Sequence, residues 1–180
     1  MKRLIATGTI VSFILGIVCA LLYQNSDREI YFSLSVTFFT SFYHFIMRVV
    51  VAYLVVRCRK HKDKSDLVPF KLSRTEHNLY KIIRLKKWKK YVPTYDKTLF
   101  SIKDHLGLEL IHNMTDAEIG HLIIVFLSFA PMLLSKTLDG FVPFLVTSVL
   151  AAAFDAQFVM VQRFNKARVW QIFADKKEKY

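Results

Sequence analysis

Long apolar stretches alternate with charged segments along the chain. A bilayer core of about 30 Å needs roughly 20 apolar residues of helix, and four stretches approach or exceed that length. Polar and apolar residues do not alternate, which disfavours a membrane β-barrel. The pattern predicts an all-α, polytopic membrane protein with about four transmembrane helices. The predicted spans are Leu4–Tyr23, Ile30–Val56, Ile119–Ser135 and Phe141–Val161.

The first apolar stretch follows Met1-Lys2-Arg3 and is also consistent with a secretory signal peptide. The apolar region of a signal peptide is usually about 7–15 residues long, and this stretch is longer. It also lacks a clear cleavage site of the small-x-small type. We therefore expect it to be retained as a membrane helix.

Lysine and arginine are distributed unevenly between the segments that join the spans. Fifteen of them lie between Arg57 and Lys103, and six lie from Arg163 onward. Gln24–Glu29 and Lys136–Gly140 contain one each. Because basic residues accumulate in cytoplasmic segments, the distribution predicts a multi-pass protein of a plasma membrane with both termini in the cytoplasm.

These boundaries predict a single membrane domain, residues 1–180, with a cytoplasmic basic segment at residues 57–117 and a cytoplasmic tail at residues 162–180. Within the basic segment, Leu79–Tyr91 is predicted to be a helix at the membrane interface that ends before Pro93. Thr94–Leu106 is predicted to be a loop.

The composition agrees with this organisation. Hydrophobic residues make up 53% of the chain and the mean hydropathy is +0.30, yet the net charge is +12. The run Arg57–Lys64 is interpreted as a topology anchor that also contacts anionic lipids. Attachment to a span argues against a nucleic-acid patch, so no nucleic-acid partner is expected. The separate Cys19 and Cys58 suggest neither a disulfide framework nor a zinc site.

Polar residues also lie within or beside the predicted spans, where charged groups are costly and usually face a cavity or a partner. The predicted topology brings them to the cytoplasmic half of one bundle. His44 and Arg48 share a face of the second span, and Glu118 and His121 share a face of the third. The fourth carries Asp155, followed by Gln162, Arg163, Asn165 and Arg168.

Structural interpretations of the same residues remain open. Arg48 and Asp155 are consistent with an ion pair between helices. Glu118 is consistent with a carboxylate that complements the positive N-terminus of its helix, and His121 with a packing residue. The arginines that follow the fourth span are consistent with topology anchors.

A histidine and a carboxylate at helical spacing favour general-base chemistry, with His121 as the base and Glu118 as the residue that orients it. Basic side chains can bind phosphates or stabilise an oxyanion, and apolar walls can hold a lipid chain. This combination suits acyl transfer from a thioester to a lipid hydroxyl. Helical di-iron sites need a second Glu-x-x-His motif, so no metal is predicted.

Four segments resemble, in order and rough spacing, the glycosyl-4,4'-diaponeurosporenoate acyltransferase family. They are Lys86–Pro93, Ser101–Leu106, Ala117–His121 and Val161–Arg168. The resemblance implies a small bacterial integral membrane protein that esterifies a sugar hydroxyl of a carotenoid glycoside with a fatty acyl group. The positions that match its motifs are Trp88, Lys89, His105, Glu118, His121, Gln162, Arg163, Asn165 and Arg168.

Together these observations predict a membrane O-acyltransferase that uses acyl-CoA or acyl carrier protein as donor, a lipid-linked acceptor and no bound cofactor. Arg163 and Arg168, with Lys87 or Lys89, are expected to hold the donor phosphates or the oxyanion. His44 and Arg48, with Asp155, are expected on the acceptor side. The alternatives are a non-catalytic lipid-binding or assembly protein and another lipid-modifying transferase, such as a methyltransferase. The oligomeric state is left open.

Overall fold

The computed structural model describes residues 2–59, 71–92, 107–138 and 140–177. These residues are 91% helical and contain no strand. Four of their helices are long and apolar enough to cross a membrane, which confirms the predicted all-α, polytopic fold. The helices are α1 (Lys2–Ser26), α2 (Glu29–Arg59), α3 (Arg74–Ile82), α4 (Leu85–Trp88), α5 (Gly107–Leu127) and α6 (Phe141–Lys177), with 3-10 helices at Lys89–Tyr91 and Ala130–Lys136.

Two helices, α5 and α6, extend beyond the predicted spans by several turns. The third candidate span was predicted to begin at Ile119, but α5 already includes Gly107, about three turns before Glu118. The expectation that Glu118 complements the helix N-terminus is therefore wrong. The region predicted as a tail continues α6 without interruption to Lys177.

The described residues form two compact units. The first lies within Met1–Tyr53 and Ile123–Asp155, and the second within Leu54–Leu122 and Ala156–Tyr180. The prediction of a single membrane domain stays a prediction.

In the first unit, α1 and α2 approach each other closely where α1 carries glycine. A Cβ added at Gly8 would lie 2.9 Å from the end of the Phe45 ring, and one at Gly16 would lie 3.1 Å from the ring of Phe39. The Ser35 hydroxyl also donates a 3.2 Å hydrogen bond to the Gly16 carbonyl. Small residues at such positions allow two membrane helices to pack tightly.

In the second unit, the basic segment forms two short helices instead of the predicted continuous helix over Leu79–Tyr91. Ser73 and Glu76 begin α3 with a capping box, in which each side chain bonds the backbone N–H of the other residue. Arg84, with φ of 52°, then turns the chain between α3 and α4. The Trp88 indole spans the bend and donates a 2.9 Å hydrogen bond to the Ile83 carbonyl.

Candidate functional site

An ion-pair network joins three helices of the second unit. Glu118 on α5 accepts a 2.6 Å hydrogen bond from Nη1 of Arg163 on α6 and another hydrogen bond from Nζ of Lys166. Nε of Arg163 donates a 2.7 Å hydrogen bond to Glu76 on α3. Two carboxylates therefore face two cations, and one arginine contacts both carboxylates.

The network is favourable because its charges are paired. The side chain of Lys166 is 7% exposed and that of Glu118 is 10% exposed, and a charge at such depth is stable only with a partner. Burial alone would raise the pKa of Glu76, but hydrogen bonds from Arg163 and from the Ser73 backbone outweigh burial, and the pKa is lowered. Glu76 is thus held in its charged form.

His121 lies one helical turn after Glu118 on α5. Its imidazole stacks face to face on the ring of Phe158 from α6, with ring centroids 4.5 Å apart and an interplanar angle of 9°. This stacking fixes the plane of the imidazole. The Glu118 carboxylate, which was expected to orient His121, is bound by the two α6 cations. The catalytic roles of His121 and Glu118 stay predictions.

Gln162 lies on α6 between the residues that make these two contacts. It is one turn after Phe158, which stacks on His121, and one turn before Lys166, which binds Glu118. Its side chain is buried, and its Oε1 atom has no hydrogen-bond partner among the described residues. A buried carbonyl oxygen in this state is a ready acceptor for a ligand O–H or N–H group.

Two predicted binding residues, Lys89 of the basic segment and Asn165 of α6, contact each other. Nζ of Lys89 donates a 2.7 Å hydrogen bond to Oδ1 of Asn165 and lies 4.8 Å from the centroid of the Phe164 ring. The Trp88 indole N–H is bonded to the Ile83 carbonyl. These contacts are structural, and any contact of Trp88, Lys89 or Asn165 with substrate stays a prediction.

The remaining predicted cations differ in their surroundings. Arg163 uses its guanidinium for the two glutamates, whereas Arg168 is exposed and lines a cavity together with Lys86. Lys87 is exposed and does not line this cavity. The predicted binding residue His105 lies outside the described residues.

A second polar cluster lies in the first unit. Arg48 on α2 donates a 3.0 Å hydrogen bond from Nε, and another from Nη2, to Oδ2 of the fully buried Asp155 on α6. Its Nη1 donates to the His44 carbonyl, and its guanidinium lies 5.4 Å from the centroid of the Phe154 ring. The ion pair expected under the structural interpretation therefore forms.

The His44 side chain in this cluster is only 4% exposed, and neither of its ring nitrogens has a hydrogen-bond partner among the described residues. Leaving a buried polar group unpaired costs about 1–3 kcal/mol. A polar ligand that bonded to His44 would therefore remove this cost.

The network and His121 lie within a part of the chain that matches a known protein family. A family profile described as glycosyl-4,4'-diaponeurosporenoate acyltransferase matches residues 63–175, which is more than half of the chain. The chain belongs to the glycosyl-4,4'-diaponeurosporenoate acyltransferase family. It is therefore an acyltransferase of a carotenoid-biosynthesis family and, with its four candidate spans, a multi-pass membrane protein. No curated protein and no solved structure matches the chain.

Sequence reasoning missed three residues that shape the site of this acyltransferase. Lys166 is the second cation on Glu118, and it lies one turn from Arg163 in the terminal motif. Glu76 could have been found from its capping-box spacing with Ser73. Phe158 had no sequence signal, because a phenylalanine in an apolar span is unremarkable.

Among the described residues, no group of three His, Cys, Asp or Glu could hold a metal ion.

Proposed function

We propose that this acyltransferase moves a fatty acyl group from a cytosolic thioester donor to a hydroxyl of a lipid-linked acceptor, such as a glycosylated isoprenoid. Acyl-CoA or acyl carrier protein supplies the acyl group. Family membership supports the reaction class, and the family description names a glycosylated carotenoid acid as acceptor. The four apolar helices suit an acceptor that remains in the membrane.

The arrangement of His121 is the observation that carries the proposed mechanism. Its ring is held by Phe158 one turn from the Glu118 network, and His121 itself is half-buried. A neutral imidazole in a fixed orientation suits a general base. His121 takes the proton from the acceptor hydroxyl while that oxygen attacks the thioester carbonyl carbon. The C–S bond then breaks, and the proton passes to the leaving thiolate.

The neighbouring polar groups would serve binding and positioning in this mechanism. Gln162 accepts a hydrogen bond from a second hydroxyl of the acceptor, because its buried Oε1 has no other partner among the described residues. Glu118 holds Arg163 and Lys166 in place, so we assign it a positioning role beside His121.

The first unit offers a separate polar contact for a membrane lipid. We assign His44 to a hydrogen bond with a polar group of such a lipid, since both of its buried ring nitrogens lack partners among the described residues. The ion pair of Arg48 with Asp155 keeps the adjacent α2 and α6 segments in register. In this assignment Arg48 and Asp155 position the helix segments and do not contact the lipid themselves.

The uneven distribution of lysine and arginine supports a cytoplasmic location for the second unit's basic segment, on the side where thioester donors are found. Comparing complete lipid extracts from cells with and without the gene tests the proposed reaction. We expect one acylated lipid to disappear, its unacylated precursor to accumulate, and both changes to reverse when the gene is returned. Unchanged acylated lipids under conditions in which the protein is produced would contradict the proposal.

A further inference from the structure

A basic cavity of about 570 Å³ lies in the second unit between the start of α3, the beginning of α4 and the last third of α6. Pockets that hold small molecules commonly have volumes of about 300–1,000 Å³. Four of the side chains on its wall are cationic. They are Lys71, Arg74, Lys86 and Arg168.

No carboxylate is found among the described residues that line this cavity. The nearest acidic residues of the network are already paired: Glu76 with Arg163, and Glu118 with Arg163 and Lys166. Like charges that converge on one space repel each other, so an anion in that space would relieve the repulsion.

The positive field of these residues affects a neighbouring side chain. Burial first, and then the charges of Arg168 and Lys86, lower the pKa of Lys89. Lys89 is bonded to Asn165 and is not on the cavity wall. Two of the four wall cations therefore lie close enough to Lys89 to add to the effect of burial.

The remaining wall suits a phosphorylated organic molecule better than a simple ion. Asn78, Gln171 and His77 provide side-chain hydrogen-bonding groups, and Phe164 adds an aromatic surface. Arginine and lysine together bind phosphate oxygens through charge-assisted hydrogen bonds.

We propose that this cavity binds the phosphates of a phosphorylated ligand, and that in the acyl-transfer reaction this ligand is the coenzyme A portion of the donor. This identification of the donor rests on the proposed function. It selects Arg168 and Lys86 for phosphate binding and removes Arg163 from that role, because Arg163 is engaged by two glutamates. A headgroup phosphate of an anionic lipid offers the same chemistry from another source.

Binding of coenzyme A to the purified full-length protein in lipid nanodiscs tests the site. The double variant Lys86→Gln/Arg168→Gln removes two cations, and a charged hydrogen bond is worth about 1.5–3 kcal/mol, so each loss should weaken binding by about tenfold or more. Lys81→Gln is the matched control, because Lys81 is an exposed cation of α3 outside the cavity wall. The control should bind coenzyme A like wild type, and dephospho-coenzyme A should bind wild type more weakly than coenzyme A.

Native mass spectrometry of the same samples distinguishes a lipid ligand from coenzyme A. It measures whether the protein retains phosphatidylglycerol in preference to phosphatidylcholine. If wild type does not bind coenzyme A and only the double variant loses phosphatidylglycerol, the cavity is a phosphate site whose ligand is a lipid. That result would overturn the assignment of coenzyme A. Equal binding of both probes to the double variant and to Lys81→Gln would overturn the site. That result leaves the His121 mechanism standing, since turnover of a His121 variant is measured independently of this cavity.

Discussion

Glu118 on α5 accepts a 2.6 Å hydrogen bond from Arg163 on α6. The same guanidinium donates a hydrogen bond to Glu76 on α3, so Arg163 links the basic segment to α5 and α6. Arg163, predicted to bind the donor, and Glu118, predicted to orient His121, therefore belong to one internal network. This network gives the neighbouring His121 and Gln162 a fixed frame.

The two glutamates of the network should differ in their contribution to stability. Glu118→Gln leaves Arg163 and the buried Lys166 short of a counter-charge, and breaking a buried pair costs about 3–5 kcal/mol. Glu76→Gln keeps the capping box and removes a more exposed pair, worth about 0.2–1 kcal/mol. Thermal unfolding in detergent should show a larger loss of stability for Glu118→Gln than for Glu76→Gln. Equal losses would contradict the central place of Glu118.

Stability should fall in acid through Glu76. The folded-state pKa of Glu76 is lowered from its ordinary value of 4.5, so its contribution is complete above that value and is lost as the pH falls through the lower folded-state pKa. Unfolding measured from pH 6 downward, in steps of about half a unit, should show a smaller decrease in Glu76→Gln than in wild type. Parallel pH profiles for the two proteins would exclude this linkage.

Arg48 and Asp155 should be dispensable for chemistry but not for folding. Arg48→Gln or Asp155→Asn leaves one buried charge without its partner, and we expect about 3–5 kcal/mol of destabilisation and less folded protein. The exchanged pair Arg48→Asp/Asp155→Arg should recover much of the folded protein and the turnover per folded molecule. A well-folded exchanged variant without turnover would instead place this pair in contact with the acceptor.

The proposed orientation predicts which residues are accessible from outside the cell. With Cys19 and Cys58 replaced by serine, a cysteine at Ser26 should react with an impermeant reagent in intact cells, and one at Lys81 should react only after lysis. Reaction of Lys81→Cys in intact cells would reverse the orientation and remove the site from cytosolic donors.

The membrane helices were predictable because an apolar stretch of about twenty residues has few other stable environments. The ion pair of Arg48 and Asp155 was also foreseeable, since each is an isolated charge within a span and needs a partner. The start of α5 was not, because Glu109, His112, Asn113 and Asp116 lower the hydropathy of its first turns and resemble a loop.

The choice of partners within the site was harder to predict. Spacing put Glu118 beside His121 on one helix, but the rotation and register of α6 bring Arg163 and Lys166 to Glu118 and Phe158 to His121. A single sequence does not determine these relations between helices. The bend at Arg84 was also not predictable. Its positive φ is usually found at glycine or asparagine, and this position is an arginine.

His121→Gln tests the proposed mechanism most directly. Glutamine keeps hydrogen-bonding groups but cannot accept the proton, and general-base catalysis contributes about 10²–10⁴ in rate. The measurement is formation of the acylated lipid in membranes, divided by the amount of folded protein, with His112→Gln on the same helix as the matched control. We predict a loss of at least about 10²-fold for His121→Gln and turnover close to wild type for His112→Gln. Near-wild-type turnover of folded His121→Gln would contradict the assignment of His121 as the base.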